Sequence, residues 1–244
     1  MKINISGKHY DSILKMEMSG RRIILGSGSP RRKQLLEQLG WQIEVQVKNT
    51  PEDIPPTLKR GEVAMHLAKA KAHAFDEELR TTDVLINADT IVCLDDDILN
   101  KPSDAEEAFQ MLSRLSGRSH QVYTGVCLSF NKKRELFFAE TTVFFNELKE
   151  QLIKEYISHY QPFDKAGSYG AQECLPDGMN PCSTEELEFI KQINKPDYFQ
   201  KSLAMDSKKH IPIIQRIEGS YFNVMGMPVV ELWQQLEKLL KESN

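Results

Sequence analysis

Cysteine is scarce in this chain: four in 244 residues, at positions 93, 127, 174 and 182, with no CxxC pair. That spacing offers neither a disulfide framework nor a zinc-ribbon pattern. Cys93 and Cys127 fall in apolar segments, where a reduced, buried thiol is the ordinary state. The expected location is therefore a reducing cytosol, cytoplasmic. Membrane-length apolar runs are missing, and the first residues lack the apolar stretch of a signal peptide. Nothing in the sequence points to a membrane. Nor is there an excess of one charge: the formal net charge of −4 argues against a nucleic-acid or membrane-surface binder. The six histidines are scattered, and His66 and His73 read as surface residues of one helix. Neither standard nucleotide loop is present. There is no GxxxxGK[ST], and Gly26-Ser27-Gly28 lacks the third glycine and downstream acid of a dinucleotide fingerprint.

What is there suffices for a full core: 40% of the residues are hydrophobic, enough for one large domain or two lobes. Residues 1–20 are polar and weakly patterned and read as an N-terminal extension. Residues 21–244 read as a single domain. Strands are expected at 23–25, 41–47, 84–92, 121–130 and 136–145 from apolar runs and alternation. Helices are expected from Ser29 to Gly40, over 62–79 with Val63, Leu67, Ala70 and Ala74 on one face, from a capping box at Ser103 to Gly117, from Asn146 to Tyr160, and from Pro228 to Leu240. Asp95-Asp96-Asp97 reads as a hairpin turn. Strands alternating with helices give an α/β class with a mixed sheet. Residues from about 174 to 209 have a different texture, with Pro-Asp-Gly, Asn-Pro-Cys and a capping box at Ser183–Glu186. They read as an insertion in the main fold.

The densest chemistry lies in Ser27-Gly28-Ser29-Pro30-Arg31-Arg32. Ser29 suits an N-cap and Pro30 the first helical turn. Free N–H groups, the dipole, the hydroxyls of Ser27 and Ser29 and two guanidiniums make an anion site, most simply for phosphate. A capped surface helix with solvated arginines fits the same residues. Asp89 is an acid inside an apolar strand, which is costly unless it is paired or bound to metal. It reads as a general base or Mg²⁺ ligand, or else as an exposed strand end. Lys101 precedes Pro102, and Lys165 sits in a loop flanked by Gly167 and Gly170. With Arg31 and Arg32 they make three separate cationic sites, as a polyphosphate would require.

Taken together, these segments resemble the Maf family of nucleoside triphosphate pyrophosphatases. The carrying residues are Ser27 to Arg32 with Leu35-Leu36, Ala88-Asp89-Thr90, Lys101-Pro102, and Leu115 to Arg118 with His120 and Thr124-Gly125-Val126. Asp164 to Gln172 and Gly219 to Pro228 complete the set. The resemblance implies a strongly twisted mixed central sheet flanked by helices, with two lobes around a cleft. It implies hydrolysis between the α- and β-phosphates, giving monophosphate and pyrophosphate, with Mg²⁺ or Mn²⁺ as cofactor. Asp89 would be the general base. Ser27, Arg32, Lys101 and Lys165, with Ser29 of the same loop, would bind phosphate. Glu52 and Lys71 are further site candidates, and Glu52 and Asp89 are the expected metal ligands. Arg31, Thr90 and Gln172 resemble the branch acting on dTTP and UTP, modified pyrimidine nucleotides included, in a house-cleaning role. The implied partner is a nucleoside triphosphate, with neither nucleic acid nor membrane; a homodimer is compatible with the sequence. A nucleotide-binding regulator of septum formation and an enzyme for non-standard purine triphosphates are the alternative readings.

The chain departs from that pattern at its N-terminal extension and after Gln172. Gln172 and Ile217 stand 45 residues apart, a longer interval than the family shows. Such an insertion costs about one kcal/mol beyond a short surface loop. It would be decoration, a lid or an oligomer contact.

Overall fold

Seven strands form one mixed sheet in the computed structural model, which describes residues 18, 20–203 and 211–242. The expected N-terminal extension therefore lies almost wholly outside the described residues. β1 (Ile23–Leu25) lies between β2 (Ile43–Val45) and β3 (Val84–Leu94), parallel to both. β4 (Asp97–Leu99) folds back on the end of β3. β5 (Ser119–Phe130) runs antiparallel along the other side of β3, followed by β6 (Lys133–Phe145) and β7 (Ile214–Glu218). The helices are α1 (Pro30–Gln38), α2 (Gly61–His73), α3 (Ala105–Leu115), α4 (Glu150–Tyr160) and the short α5 (Ala171–Cys174). After them come α6 (Thr184–Gln192), α7 (Tyr198–Leu203), the short α8 (Tyr221–Val224) and α9 (Val229–Lys241). The expected α/β class, with a mixed central sheet flanked by helices, is what forms.

Period-two alternation divides the core. Val84, Ile86, Ala88, Val92 and Leu94 of β3 enter the main core, while Leu85, Ile91 and Cys93 enter two smaller clusters under α2. α9 closes the main core with Val229, Leu232, Trp233, Leu236, Leu239 and Leu240, each large side chain contributing roughly 1.5–3 kcal/mol on burial. On the opposite face α2 lies close against β5 because Gly125 has no side chain. A Cβ there would stand 2.2 Å from the Ala64 carbonyl carbon.

Several boundaries differ from the sequence reading. β2 is three residues long, not seven. α2 ends at His73, with turns over 74–78, and its row Ala64, Ala68 and Ala72 is buried rather than Ala70 and Ala74. Small side chains win that face because the helix approaches Gly125. α3 is capped by Asp104, which accepts from Glu107 N at 2.9 Å, while Ser103 N donates to Glu107; the box is shifted by one residue. Asn146 does not cap α4, which begins after Lys149; its amide donates to the Pro212 carbonyl instead. β7 and α8 carry too few periodic residues to be expected from sequence.

One irregularity makes the cleft. Residues 84–86 of β3 pair with β1 and residues 92–94 with β4, while β5 pairs along the whole other side. Residues 87–91 thus have no strand neighbour on one edge among the described residues. The sheet has a notch there.

Candidate active site

A cleft of about 880 Å³ opens at the notch. It brings together Ser27, Ser29, Arg31 and Arg32 from the β1–α1 loop and start of α1, Glu52 from the proline-rich loop, and Lys71 from α2. Asp89 and Thr90 come from β3, Lys101 follows β4, and Lys165 precedes a 3-10 turn at Ala166–Ser168.

Asp89 is only 15% exposed, and Lys71 Nζ donates a hydrogen bond to it. The same Nζ lies 3.0 Å from Glu52 Oε1. Two carboxylates from distant segments thus converge on one cationic atom. Lys71 can reach both because it stands one turn after Leu67 on the helical face that meets the cleft. The exposed-strand-end reading of Asp89 is not what the structure shows.

Thr90 faces the other way. Its Oγ1 accepts from Arg32 at 3.0 Å and lies 2.9 Å from Thr124 Oγ1, which donates to the Asn223 carbonyl. Arg32 also donates to the Gly226 carbonyl at 2.9 Å, the Ala88 carbonyl at 2.7 Å and Ser27 Oγ at 2.9 Å. This adds a structural task to its expected role. Four of five guanidinium N–H groups are engaged within the protein, so Arg32 ties the loop, β3 and the Gly226 segment together before it meets any phosphate. Burial pushes its pKa down, opposed by the Asp89 carboxylate.

The loop hydroxyls are likewise engaged. Ser29 Oγ accepts from Arg32 N, and Ser27 Oγ accepts from Ser29 N. The expected open anion site therefore has fewer free N–H groups than its sequence implied. Arg31 stands apart, 3.7 Å from Asp164. Lys165 is buried, 3.0 Å from Asp164 and 3.5 Å from Glu173. Burial tends to raise the pKa of Asp164, but its hydrogen bond from Lys165 and the charges of Lys165 and Arg31 outweigh it, and the net shift is downward. Lys101 is exposed, with no ion-pair partner among the described residues.

Gln172 is the exception. It is 4% exposed on α5 and does not line the cleft, although Gly170 and Ala171 before it do. A turn of short helix directs consecutive residues to different sides, which the sequence motif does not reveal.

The sequence reading missed Glu173, whose carboxylate accepts from Tyr156 OH at 2.6 Å and backs Lys165. It also gave no role to Thr124, Asn223 or Gly226. Their signal is cross-strand register, Thr90 opposite Thr124, which no single segment carries. The four cysteines are free, three of them buried. Among the described residues no group of three or more metal-ligating side chains occurs, and no helix is long and apolar enough to cross a membrane.

Residues 22–176 match the model of the Maf-like protein family. The chain belongs to that family. The dTTP/UTP pyrophosphatase of Cytophaga hutchinsonii is 41% identical over 217 residues, covering 89% of this chain and 84% of the relative. That of Flavobacterium psychrophilum is 43% identical over 221 residues, covering 91% and 96%. That of Flavobacterium johnsoniae is 35% identical over 228 residues, covering 93% and 100%. Among solved structures, the Staphylococcus aureus Ham1 protein aligns with a TM-score of 0.37 and 13% identity over 51% of this chain and 72% of that one. At that level the likeness adds nothing to the strand order. The Maf-like match ends at Pro176, close to where the sequence leads one to expect an insertion.

Proposed function

We propose that this Maf-like chain is a nucleoside triphosphate pyrophosphatase that hydrolyses dTTP and UTP to the monophosphate and pyrophosphate. The observation that carries the reading is Asp89, a mostly buried carboxylate held beside Lys71 and Glu52 in a cleft lined by Arg31, Lys101 and Lys165. The relatives' names support the substrate class.

Asp89 takes a proton from water as the water oxygen bonds to the α-phosphorus. The bridging bond to the β-phosphate breaks, and pyrophosphate leaves with the electron pair. Pyrophosphate is already a good leaving group, so no strong general acid is needed. Positive charge around the polyphosphate stabilises the transition state more than the ground state. Lys101 and Lys165 supply it directly. Arg32 holds Thr90 and the Gly226 segment in place and has one N–H left for a phosphate oxygen.

Glu52 and Asp89 are the residues that would hold a divalent cation. Their hard oxygens already meet at one positive atom, and Mg²⁺ is commonly held by one or two carboxylates with the rest of its shell from phosphate and water. Bound there, Mg²⁺ or Mn²⁺ neutralises polyphosphate charge. Arg31 and Thr90 are the proposed base-selecting residues at the cleft wall, with Gln172, buried next to the cleft residue Ala171, as the third. Free, buried cysteines support a reducing compartment, the cytosol.

A panel of nucleoside triphosphates with Mg²⁺ tests the reading. Monophosphate and pyrophosphate from dTTP and UTP are the expected products. Orthophosphate and diphosphate, or activity confined to purines, would overturn it.

A further inference from the structure

The described part of the expected insertion, α6 and α7, is not a solvated loop. Phe189, Ile190 and Ile193 of α6 and the turn after it, with Tyr198 and Phe199 of α7, are all buried in the main core. At its centre is Glu186, 1% exposed. No cation pairs with this carboxylate among the described residues, yet both oxygens are satisfied. Oε1 accepts from Ser220 Oγ at 2.7 Å and Phe222 N at 2.9 Å. Oε2 accepts from Ser183 N at 2.8 Å, closing the capping box of α6, and from Tyr221 N at 3.1 Å. One buried anion thus caps its own helix and grips the start of α8.

α8 leads straight to the cleft. Asn223 on it accepts from Thr124, which bonds Thr90, and Gly226 just past its end accepts from Arg32. The same insertion reaches the opposite wall. Tyr198 OH donates to the Leu35 carbonyl at 2.7 Å, in the helix that carries Arg31 and Arg32. The insertion therefore holds both elements that the Arg32–Gly226 hydrogen bond joins.

We infer that Glu186 is a positioning residue for the cleft, through which the inserted segment fixes the α8 wall against Arg32 and Thr90. This rests on the proposed pyrophosphatase reading. Buried carboxylate hydrogen bonds to N–H groups are charge-assisted and directional, so they fix where the Gly226 carbonyl stands. Small displacements of positioning groups are costly in rate.

Glu186→Gln is the test. The amide keeps the shape but puts an NH₂ against N–H and O–H donors. The expected kcat/KM for dTTP is about tenfold lower, with a narrowed preference for dTTP over dCTP. Phe189→Leu is the control, because Phe189, in the same helix as Glu186, packs on Trp233 of α9, 5.6 Å between ring centroids, and its side chain makes none of the hydrogen bonds of the link. It is expected to lower the melting temperature while keeping rate and preference. Hydrogen exchange reads the link without turnover. Peptides spanning 27–33 and 223–227 should exchange faster in Glu186→Gln than in Phe189→Leu, well below either melting temperature. Should Glu186→Gln not fold, Tyr198→Phe removes only a hydroxyl and should speed exchange in peptides of 30–38. Wild-type exchange in these peptides, or equal loss of activity in Glu186→Gln and Phe189→Leu, overturns the inference. A wild-type protein inert toward dTTP and UTP sinks the functional reading alone, and exchange then decides this one.

Discussion

Asp89 and Thr90 are consecutive on β3 and point to opposite faces of the sheet, yet both line one cleft. Asp89 meets Lys71 on the α2 side, and Thr90 meets Arg32 and Thr124 on the other. Both can reach one ligand only because one edge of β3 lacks a strand neighbour at 87–91 among the described residues. The notch lets a single dipeptide present the proposed base and a proposed selecting hydroxyl together.

Asp89→Asn should remove the proton acceptor while keeping the shape. Turnover of dTTP is expected to fall about 10²–10⁴-fold, with the far-ultraviolet spectrum unchanged. Pyrophosphate release measures it, and wild-type rates would take Asp89 out of the base role.

Lys71→Met should free the Asp89 and Glu52 carboxylates for a cation. Tighter Mn²⁺ binding in a calorimetric titration without nucleotide is the expected outcome. Weaker binding would place the metal on other residues. Chelation of divalent cations should stop wild-type turnover.

Arg32→Lys keeps the charge and loses the fork. An ammonium cannot serve Ser27, Thr90 and the Ala88 and Gly226 carbonyls at once, so part-buried acceptors lose partners. The expected destabilisation is about 2–4 kcal/mol. Arg31→Lys, with one long contact to Asp164, should leave stability within about 0.5 kcal/mol. Urea denaturation of the two variants separates a structural Arg32 from a purely substrate-binding one.

Gly226→Ala should damage the cleft from its wall. Gly226 has φ +99°, and an added Cβ would lie 3.2 Å from Thr90 Oγ1 and 3.3 Å from Arg32 Nε. Backbone strain of about 1–3 kcal/mol and displaced side chains should lower both the melting temperature and kcat/KM. An active variant of wild-type stability would show that the wall yields.

His120 is fully buried and neutral, hydrogen-bonded to Tyr169 OH at 2.7 Å, and burial pushes its pKa down to about 3. The unfolded chain binds this proton from about pH 6.5 downward, and the folded chain does not. Its contribution is thus complete above pH 6.5 and is lost as pH falls toward 3, at about 1.4 kcal/mol per unit. Urea titrations at pH 7 and pH 5 should show a steeper loss in the wild type than in His120→Gln. Equal losses would mean that His120 takes up its proton in the folded state.

Much of the cleft was legible in short segments. Ser27 to Arg32, Asp89 and Lys165 each carry a local anomaly: hydroxyls and guanidiniums at a helix start, an acid in an apolar strand, a lysine just ahead of two glycines. What each does was less legible. Arg32 reads as a phosphate ligand until its partners at Thr90 and Gly226 are seen, 58 and 194 residues away. Gln172 reads as a cleft residue until α5 turns it inward. Glu186 reads only as half of a capping box, because a local motif explains it fully; its second task depends on an α8 that too few residues announce.

The sequence by itself determined the alternation of strands and helices, the anion-seeking character of the first loop and the acid on β3. Those follow from periodicity, capping and the cost of a charge among apolar neighbours, all of them local. Tertiary structure alone decided that one edge of β3 would have no strand neighbour at 87–91 among the described residues, that Lys71 would meet two carboxylates, and that α6 and α7 would pack into the core and hold α8. Those depend on register and on contacts between residues far apart in the chain. No stretch of sequence states them, because the free energy that selects them belongs to the packed whole.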